Sequence, residues 1–445
     1  GITDEQFITD PDAIEQSFTS NDIPVKFTKT WNSLRNNRYF LSGRYNLGYR
    51  EIPGDSLHKG PGTFVPVASI GFSTQYTQQH RRFLSYDTAY VDVDGGRMQY
   101  IDQFYDNRYY EGAVDDSIRY TSFKNSVSLS LREGFRDWVK FGLTAFLEYD
   151  LRNYTQRDSV GPGYNQHRES AVTVGGVLNK QQGDNLLFNI RADLGLLGVN
   201  LGEFRAMGDV ETGFDIAGRR TTLSAEAYIK NLRPKYLQDH YFSKYFRWDR
   251  DFGDIRRVYL GGKLHIPFTN TTLSAGVENL QNFIYFDQDK NIAQENGNIQ
   301  VLTARVQSLR LGIFNWDNQL VYQTSSNESV IPVPSLSLYS NMYLKTKIVN
   351  ELTLQLGVDV HYHTKYHAPG YEPALLQFYN QQEKEIGNYP IATAYANMHL
   401  KQTRFFVMFY NLASQVIKPQ EYFSLPGYPV NPFGLKLGIS VNLHN

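Results

Sequence analysis

The stretch FGLKLGISVNLHN, residues 433–445, decides how the chain is read. Phe433, Leu435, Leu437, Ile439, Val441 and Leu443 fall on one parity, and Gly434, Lys436, Gly438, Ser440, Asn442 and His444 on the other. Successive side chains of an extended strand point to opposite faces, so this segment is a long ribbon with one apolar and one polar side. A soluble sandwich can use such a ribbon at its edge, and a membrane barrel needs one to close.

The ribbon has many siblings. In WVKFGLTAFLEYDLR (138–152), Val139, Phe141, Leu143, Ala145, Leu147, Tyr149 and Leu151 share a face. NLLFNIRADLGL (185–196), TLSAEAYIK (222–230), VYLGGKLHI (258–266) and LTLQLGVDVHYH (352–363) repeat the pattern. The period is 2, not 3.6, and no helix longer than two or three turns is expected. Mean hydropathy is −0.45 and no run of 18 apolar residues occurs, so spanning helices are excluded. A barrel needs only alternate residues apolar. The sequence therefore predicts an all-β, transmembrane antiparallel β-barrel with about 16–18 strands in this chain, each roughly 9–15 residues long.

The connections alternate in length. AGRR (217–220), VNEL (349–352) and KQTR (401–404) are tight, and REGFRD (132–137) and QGDN (182–185) are short. Long external loops are expected near 81–120, 231–254, 367–388 and 417–430. Short turns on one side and long loops on the other describe an outer-membrane barrel, with the final strand running toward the periplasm. The domain reading is one barrel over 1–445: 1–33 as an irregular periplasmic or loop segment, and 34–445 as strands and loops. Both end strands then run the same way, which leaves an odd strand count; either a strand is missed or split in this reading, or strands precede Gly1, and the second is the expected remedy. Trp31, Trp138, Trp248 and Trp316 sit near expected strand ends or in loops, as girdle residues do.

A charge facing hydrocarbon costs up to about 2–4 kcal/mol at mid-membrane, so the apolar faces point to lipid and the charged faces inward. The expected lumen lining is Lys140, Glu148, Arg191, Asp193, Asp209, Glu211, Glu226, Lys263, His265, Glu278, Lys345, Asp359, His361, His363, His399 and Lys436. Charges of both signs at mid-strand, and strands without central Pro, favour the barrel over a sandwich with edges to protect. The mixed signs point to no strong ion preference.

Other chemistries find little footing. Lys+Arg total 44 against 45 Asp+Glu, so nucleic acid is not an expected partner. There is no Cys, which removes disulfides, thiolate zinc sites and thiol catalysis. No G-x-S-x-G, H-E-x-x-H or G-x-x-x-x-G-K occurs, and no enzyme activity is expected. Asp359, His361 and His363 share a strand face with His367 beyond, a spacing that can bind a metal but reads more simply as a polar wall. DVDGG (92–96) lacks the rest of a calcium loop and reads as a tight external turn. No metal or cofactor is expected. The loop KYLQDHYFSKYFRWDRDFGD (235–254) offers stacking rings and charges suited to sugars or protein contacts, or to a lid packed into its own barrel.

Three stretches, TWNSLRNNRYFLSGRYNLGYREIP (30–53), SLSLREGFRDWVKFGLTAFLEYD (128–150) and YHAPGYEPALLQFYNQQEKEIGNYPIATAYANMHLKQTRFFVMFYNL (366–412), resemble the putative porin family of Bacteroidota-type outer-membrane proteins. The resemblance spreads over nearly the whole chain and rests on structural motifs. It implies a porin-like barrel in the outer membrane of a Gram-negative bacterium. Lys436-x-Gly438-x-x-Val441-x-Leu443 resembles the assembly signal read by barrel-insertion machinery, although the chain ends Leu443-His444-Asn445 and not on an aromatic residue. The expected function is passive diffusion of small hydrophilic solutes. The alternatives are a plugged structural or binding subunit of a larger outer-membrane complex, and a TonB-dependent transporter barrel without its plug. Expected partners are outer-membrane lipid and lipopolysaccharide, the insertion machinery, and a lipoprotein or complex partner.

Overall fold

Alternation at period 2 becomes strand wherever the sequence carries it. In the computed structural model, the described residues are 29–51, 63–86, 89–93, 96–100, 105, 107–110, 112–136, 139–159, 163–183, 186–349, 351–417 and 423–442. Seventeen strands form one sheet: β1 Thr30–Glu51, β2 Thr63–Ser85, β3 Val114–Leu131, β4 Gly142–Arg157, β5 Tyr164–Lys180, β6 Leu187–Gly198, β7 Phe204–Ile216, β8 Arg219–Leu232, β9 Ile255–Ile266, β10 Thr271–Phe286, β11 Ile292–Leu311, β12 Phe314–Ser325, β13 Leu336–Val349, β14 Leu352–His363, β15 Ile391–Leu400, β16 Thr403–Tyr410 and β17 Gly434–Val441. Each pairs antiparallel with its neighbour in sequence, a pure up-and-down meander. Among the described residues β1 and β17 are not paired with one another.

The turns sort by side as expected. Connections 217–218, 312–313 and 401–402 are two-residue turns on one rim. Ala217 and Gly218 both have positive φ (51° and 73°), the backbone of a type I′ turn, whose twist matches that of the flanking strands. The opposite rim carries 86–113, 233–254, 364–390 and 411–433.

Several boundaries differ from the sequence reading. Residues 81–85 and 114–120 belong to β2 and β3, because their polar outward positions look like loop sequence. The loop between them contains a small hairpin, Ala89–Val93 with Gly96–Tyr100; Asp94 and Gly95 of DVDGG lie outside the described residues. β1 begins at Thr30, inside the segment assigned to an irregular N-terminus, of which 1–28 lie outside the described residues. The 417–430 loop extends over 411–433. Lys140 stands exposed in the connection before β4 and not on its lumen face.

Burial is inside out. Leu143, Leu147 and Leu151 of β4 are 47, 51 and 43% exposed, and Leu437 and Ile439 of β17 are 67 and 68% exposed. A contiguous apolar surface on this scale has to be covered by lipid. By contrast, the clusters of buried apolar side chains among the described residues all include loop residues: Tyr245 and Ala374 with Phe83 and Val114, Tyr241 and Leu375 with Ile118, Val330 and Ile331 with Leu280, and Ala368, Ile386 and Phe423 together. Trp31 and Trp316 lie exposed near opposite strand ends, as expected of a girdle. Trp248 does not; it packs inside the long-loop rim. Trp138 lies outside the described residues.

Candidate functional site

The concave face follows from which parity the loops can reach. Residues of the 233–254 loop, which leaves the sheet at β8, meet Gln156 of β4 and Asp116 of β3; the Phe242 amide donates to Gln156 Oε1 (3.2 Å) and the Lys244 amide to Asp116 Oδ1 (3.0 Å). The 364–390 loop leaves at β14 yet contacts Arg81 of β2. These strands are far apart in the sheet, so the loops cross its hollow. Gln156, Asp116 and Arg81 share their face with Glu148 and Lys124, and that polar face lines the lumen.

On the wall, β8–β10 build one network. Glu278 accepts from Arg257 Nε (2.7 Å) and from the Tyr228 hydroxyl (2.6 Å), while Glu226 accepts from the Tyr259 hydroxyl (3.0 Å) and pairs with Lys263 (3.2 Å). Tyr228 and Tyr259 stack with centroids 5.1 Å apart, and Lys230 Nζ lies 3.9 Å from the Tyr228 ring centre. Gly261 and Gly276 flank Tyr259: a Cβ on either would collide with its hydroxyl end. A second network runs over β3–β7. Lys124 pairs with Glu148 (2.8 Å), Arg152 with Asp150 (2.8 Å), and Arg205 and Arg191 both reach Asp193 (2.8 and 3.4 Å). The Arg191 guanidinium also lies 4.6 Å from the Phe146 ring centre. A third, smaller group joins Tyr395, Asn341 and Gln355.

The expected lining is thus partly gathered. Glu226, Lys263 and Glu278 share one network, and Arg191 and Asp193 another. Asp359 and His361 approach to 3.7 Å, and Asp209 and Glu211 accept from Asn189 (3.4 Å) and Ser224 (3.3 Å). Apart from these, His265 bonds Thr272 (3.1 Å), His363 bonds the Thr364 carbonyl (3.1 Å), and Lys436 covers the Tyr410 ring (4.5 Å). Lys345 stands opposite Gln355, and His399 opposite Arg404. Among the described residues no three His, Asp or Glu are placed to hold a metal ion. In the suggested assembly signal, Lys436 and Gly438 face inward and Val441 outward; a Cβ at Gly438 would collide with the Phe406 ring, and Leu443 lies outside the described residues. The inward tyrosines and phenylalanines were missed by the rule that rings face lipid. Glycines in register beside them, such as Gly357 against Tyr343 and Tyr395, are the signal that marks them.

Two loop hairpins close over the long-loop rim. The first, His240–Phe242 with Arg247–Asp249, stacks Tyr241 on Trp248 (4.2 Å), and Lys244 Nζ at its turn donates to the carbonyls of Tyr110 (2.5 Å) and Gly112 (3.0 Å). The second, Gly370–Glu372 with Gln377–Tyr379, buries Ala374 and Leu375 at its tip. Arg81 joins the two, donating to the Tyr241 hydroxyl (2.8 Å) and to the Ala374 carbonyl. Tyr105 stacks on Tyr245 of the first hairpin (4.0 Å) and donates to Glu372 of the second (2.5 Å). Burial, and next the Glu372 carboxylate, push the Tyr105 phenol up, so it stays a neutral donor. Lys290 pairs with the other Glu372 oxygen (3.2 Å), and Asn380 donates to the carbonyls of Ser329 (2.8 Å) and Val330 (2.7 Å). At about 1.5–3 kcal/mol per large apolar side chain buried, this lid is a packed element and not a loose loop.

With this geometry in hand, the comparisons are specific about the architecture. A family model described as "Putative porin" matches residues 1–445. No curated protein matches the sequence. Among solved structures, the chain resembles the siderophore receptor PirA from Acinetobacter baumannii (TM-score 0.59, 11% identity, 92% of this chain and 62% of that one). It also resembles a variant of the ferric enterobactin receptor PfeA from Pseudomonas aeruginosa (0.55, 14%, 86% and 56%) and the copper transporter OprC (0.55, 12%, 87% and 61%). The chain spans less than two thirds of each of these structures, and at such identities the likeness concerns the fold.

Proposed function

The chain belongs to the putative porin family and lies in the outer membrane of a Gram-negative bacterium; from that premise we propose that it is a porin-like conduit for small hydrophilic solutes, narrowed at its outer mouth by the two loop hairpins. The observation carrying this reading is the set of paired charges of both signs, interleaved with tyrosine hydroxyls, on the inward face beneath the lid. Mixed signs disfavour a strongly charge-selective pore. Paired charges and rings in a wet wall suit polar, uncharged or zwitterionic solutes of modest size. Planar-bilayer recording tests it: the intact chain is expected to give small steps, and a chain with residues 370–379 replaced by a short Gly-Ser linker larger ones. Silence from both would refute a conduit.

A second reading has its own support. The lid's buried aromatic contacts favour a closed mouth, and so a barrel acting as a binding or structural subunit. It predicts no conductance from the intact chain, conductance only after the hairpin is removed, and a stoichiometric partner on gentle purification. The siderophore and copper proteins that share the fold make a TonB-dependent barrel a further candidate, tested by energy-dependent uptake.

A further inference from the structure

On the outer wall, Arg35 of β1, His80 of β2 and Arg119 of β3 stand in one row: Arg35 is register partner of His80, and His80 of Arg119. With Asn37 and Gln78 they line a recess of about 240 Å³. All take the lipid-facing parity, shared with Tyr39, Tyr76 and Phe123. His80 bonds Ser117 (2.8 Å) and lies within electrostatic reach of Arg119, Arg82 and Arg35, and of the Asp115 carboxylate. Arg82, next on the same face, is neutralised by a two-pronged bond to Asp115 (2.7 Å each). Arg35 and Arg119 form no ion pair among the described residues. Two strand spacings separate them, about 10 Å.

The row lies just outside the apolar belt. Moving toward the short-turn rim, the next row is Asn37, Gln78 and Thr121, followed by Tyr39, Tyr76 and Phe123. The Tyr39 and Tyr76 rings stack at 6.3 Å. Four residues, roughly 13 Å of strand, therefore separate the guanidiniums from the rings. The recess on the β9–β10 wall differs: there Asp254 accompanies Arg256, and Arg256 donates to Asn231 (3.3 Å). That recess holds an acidic residue, whereas the one on β1–β3 is lined by none.

We propose that Arg35, His80 and Arg119 form a binding site for the phosphorylated headgroup of an outer-leaflet lipid, whose acyl chains lie on the Tyr39–Tyr76–Phe123 surface. Guanidinium forks match phosphate oxygens in pairs and are the usual choice for this recognition. A free phosphate ion would gain nothing from the adjoining rings; an anionic lipid gains from both. Location at the headgroup level also removes the desolvation cost that two unpaired cations would meet deeper in the membrane.

Native mass spectrometry of the full chain in detergent, titrated with bisphosphorylated lipid A, tests the site. Retention is expected to fall at least tenfold in Arg35→Gln/Arg119→Gln and to stay unchanged in Lys263→Gln/Lys345→Gln, which removes the same charge from the lumen. Dephosphorylated lipid A is expected to bind weakly to both, and millimolar inorganic phosphate not to displace the lipid. Heat-modifiable gel mobility reports folding; if the double variant does not fold, Arg35→Lys and Arg119→Lys singly are expected to lose part of the retention. Equal retention by the folded Arg variants overturns the site. Equal binding of the dephosphorylated lipid overturns phosphate recognition, and displacement by inorganic phosphate would make this a free-anion site.

Discussion

At the residue scale, the molecule is decided by which side chains a given parity can tolerate. Leu147 faces lipid on β4, whereas Thr144 faces the lumen beside Ser130. Leu147→Arg is expected to destabilise the barrel by about 2–4 kcal/mol and Thr144→Arg by less than about 1, read by urea unfolding in lipid vesicles. Similar costs for both would contradict the assignment of faces. Glu278 is the acceptor that unites Arg257 and Tyr228, and its side chain is mostly buried. Glu278→Gln should cost about 1–3 kcal/mol, because a donor is left without its charged acceptor. The Lys263–Glu226 pair is half exposed, so Lys263→Gln should cost no more than about 1 kcal/mol. Parity was legible in the sequence because the period is 2 and most Leu and Glu residues keep to one face; Leu280, buried on the lumen side against Val330 and Ile331, is an exception. Tyrosine was not, since a ring with a hydroxyl is at home on either face; Tyr228 and Tyr259 chose the lumen, where Glu278 and Glu226 accept hydrogen bonds from their hydroxyls.

At the element scale, strands and turns were readable and the lid was not. The two-residue turns at 217–218 and 401–402 announce themselves by short polar breaks between alternating runs. The hairpins in 233–254 and 364–390 are only three residues to a strand, too short for a periodic signal. Their partners are also remote in sequence, as in the Arg81–Ala374 and Lys244–Asp116 contacts. The notion of a loop folded into its own barrel described the first hairpin; nothing in the sequence indicated that the second would meet it. Tyr245 holds the junction through Tyr105 and Phe83. Tyr245→Ala is expected to speed amide exchange over both hairpins while leaving β4–β10 protected, and to raise bilayer conductance. Unchanged exchange in the hairpins would mean the lid is held elsewhere.

At the scale of the whole molecule, one meander of amphipathic strands turns its apolar side to lipid, keeps a paired polar wall inside and folds its long loops over the outer rim. A chain without cysteine makes that arrangement directly measurable. Single cysteines placed at 147, 148, 149, 150 and 151 of β4, treated in intact cells with a small water-soluble thiol reagent after the Tyr245→Ala change has loosened the lid, report which positions meet water. Alternation is expected: Glu148→Cys and Asp150→Cys labelled, Leu147→Cys, Tyr149→Cys and Leu151→Cys protected. Labelling in the reverse pattern, or at every position alike, would contradict it.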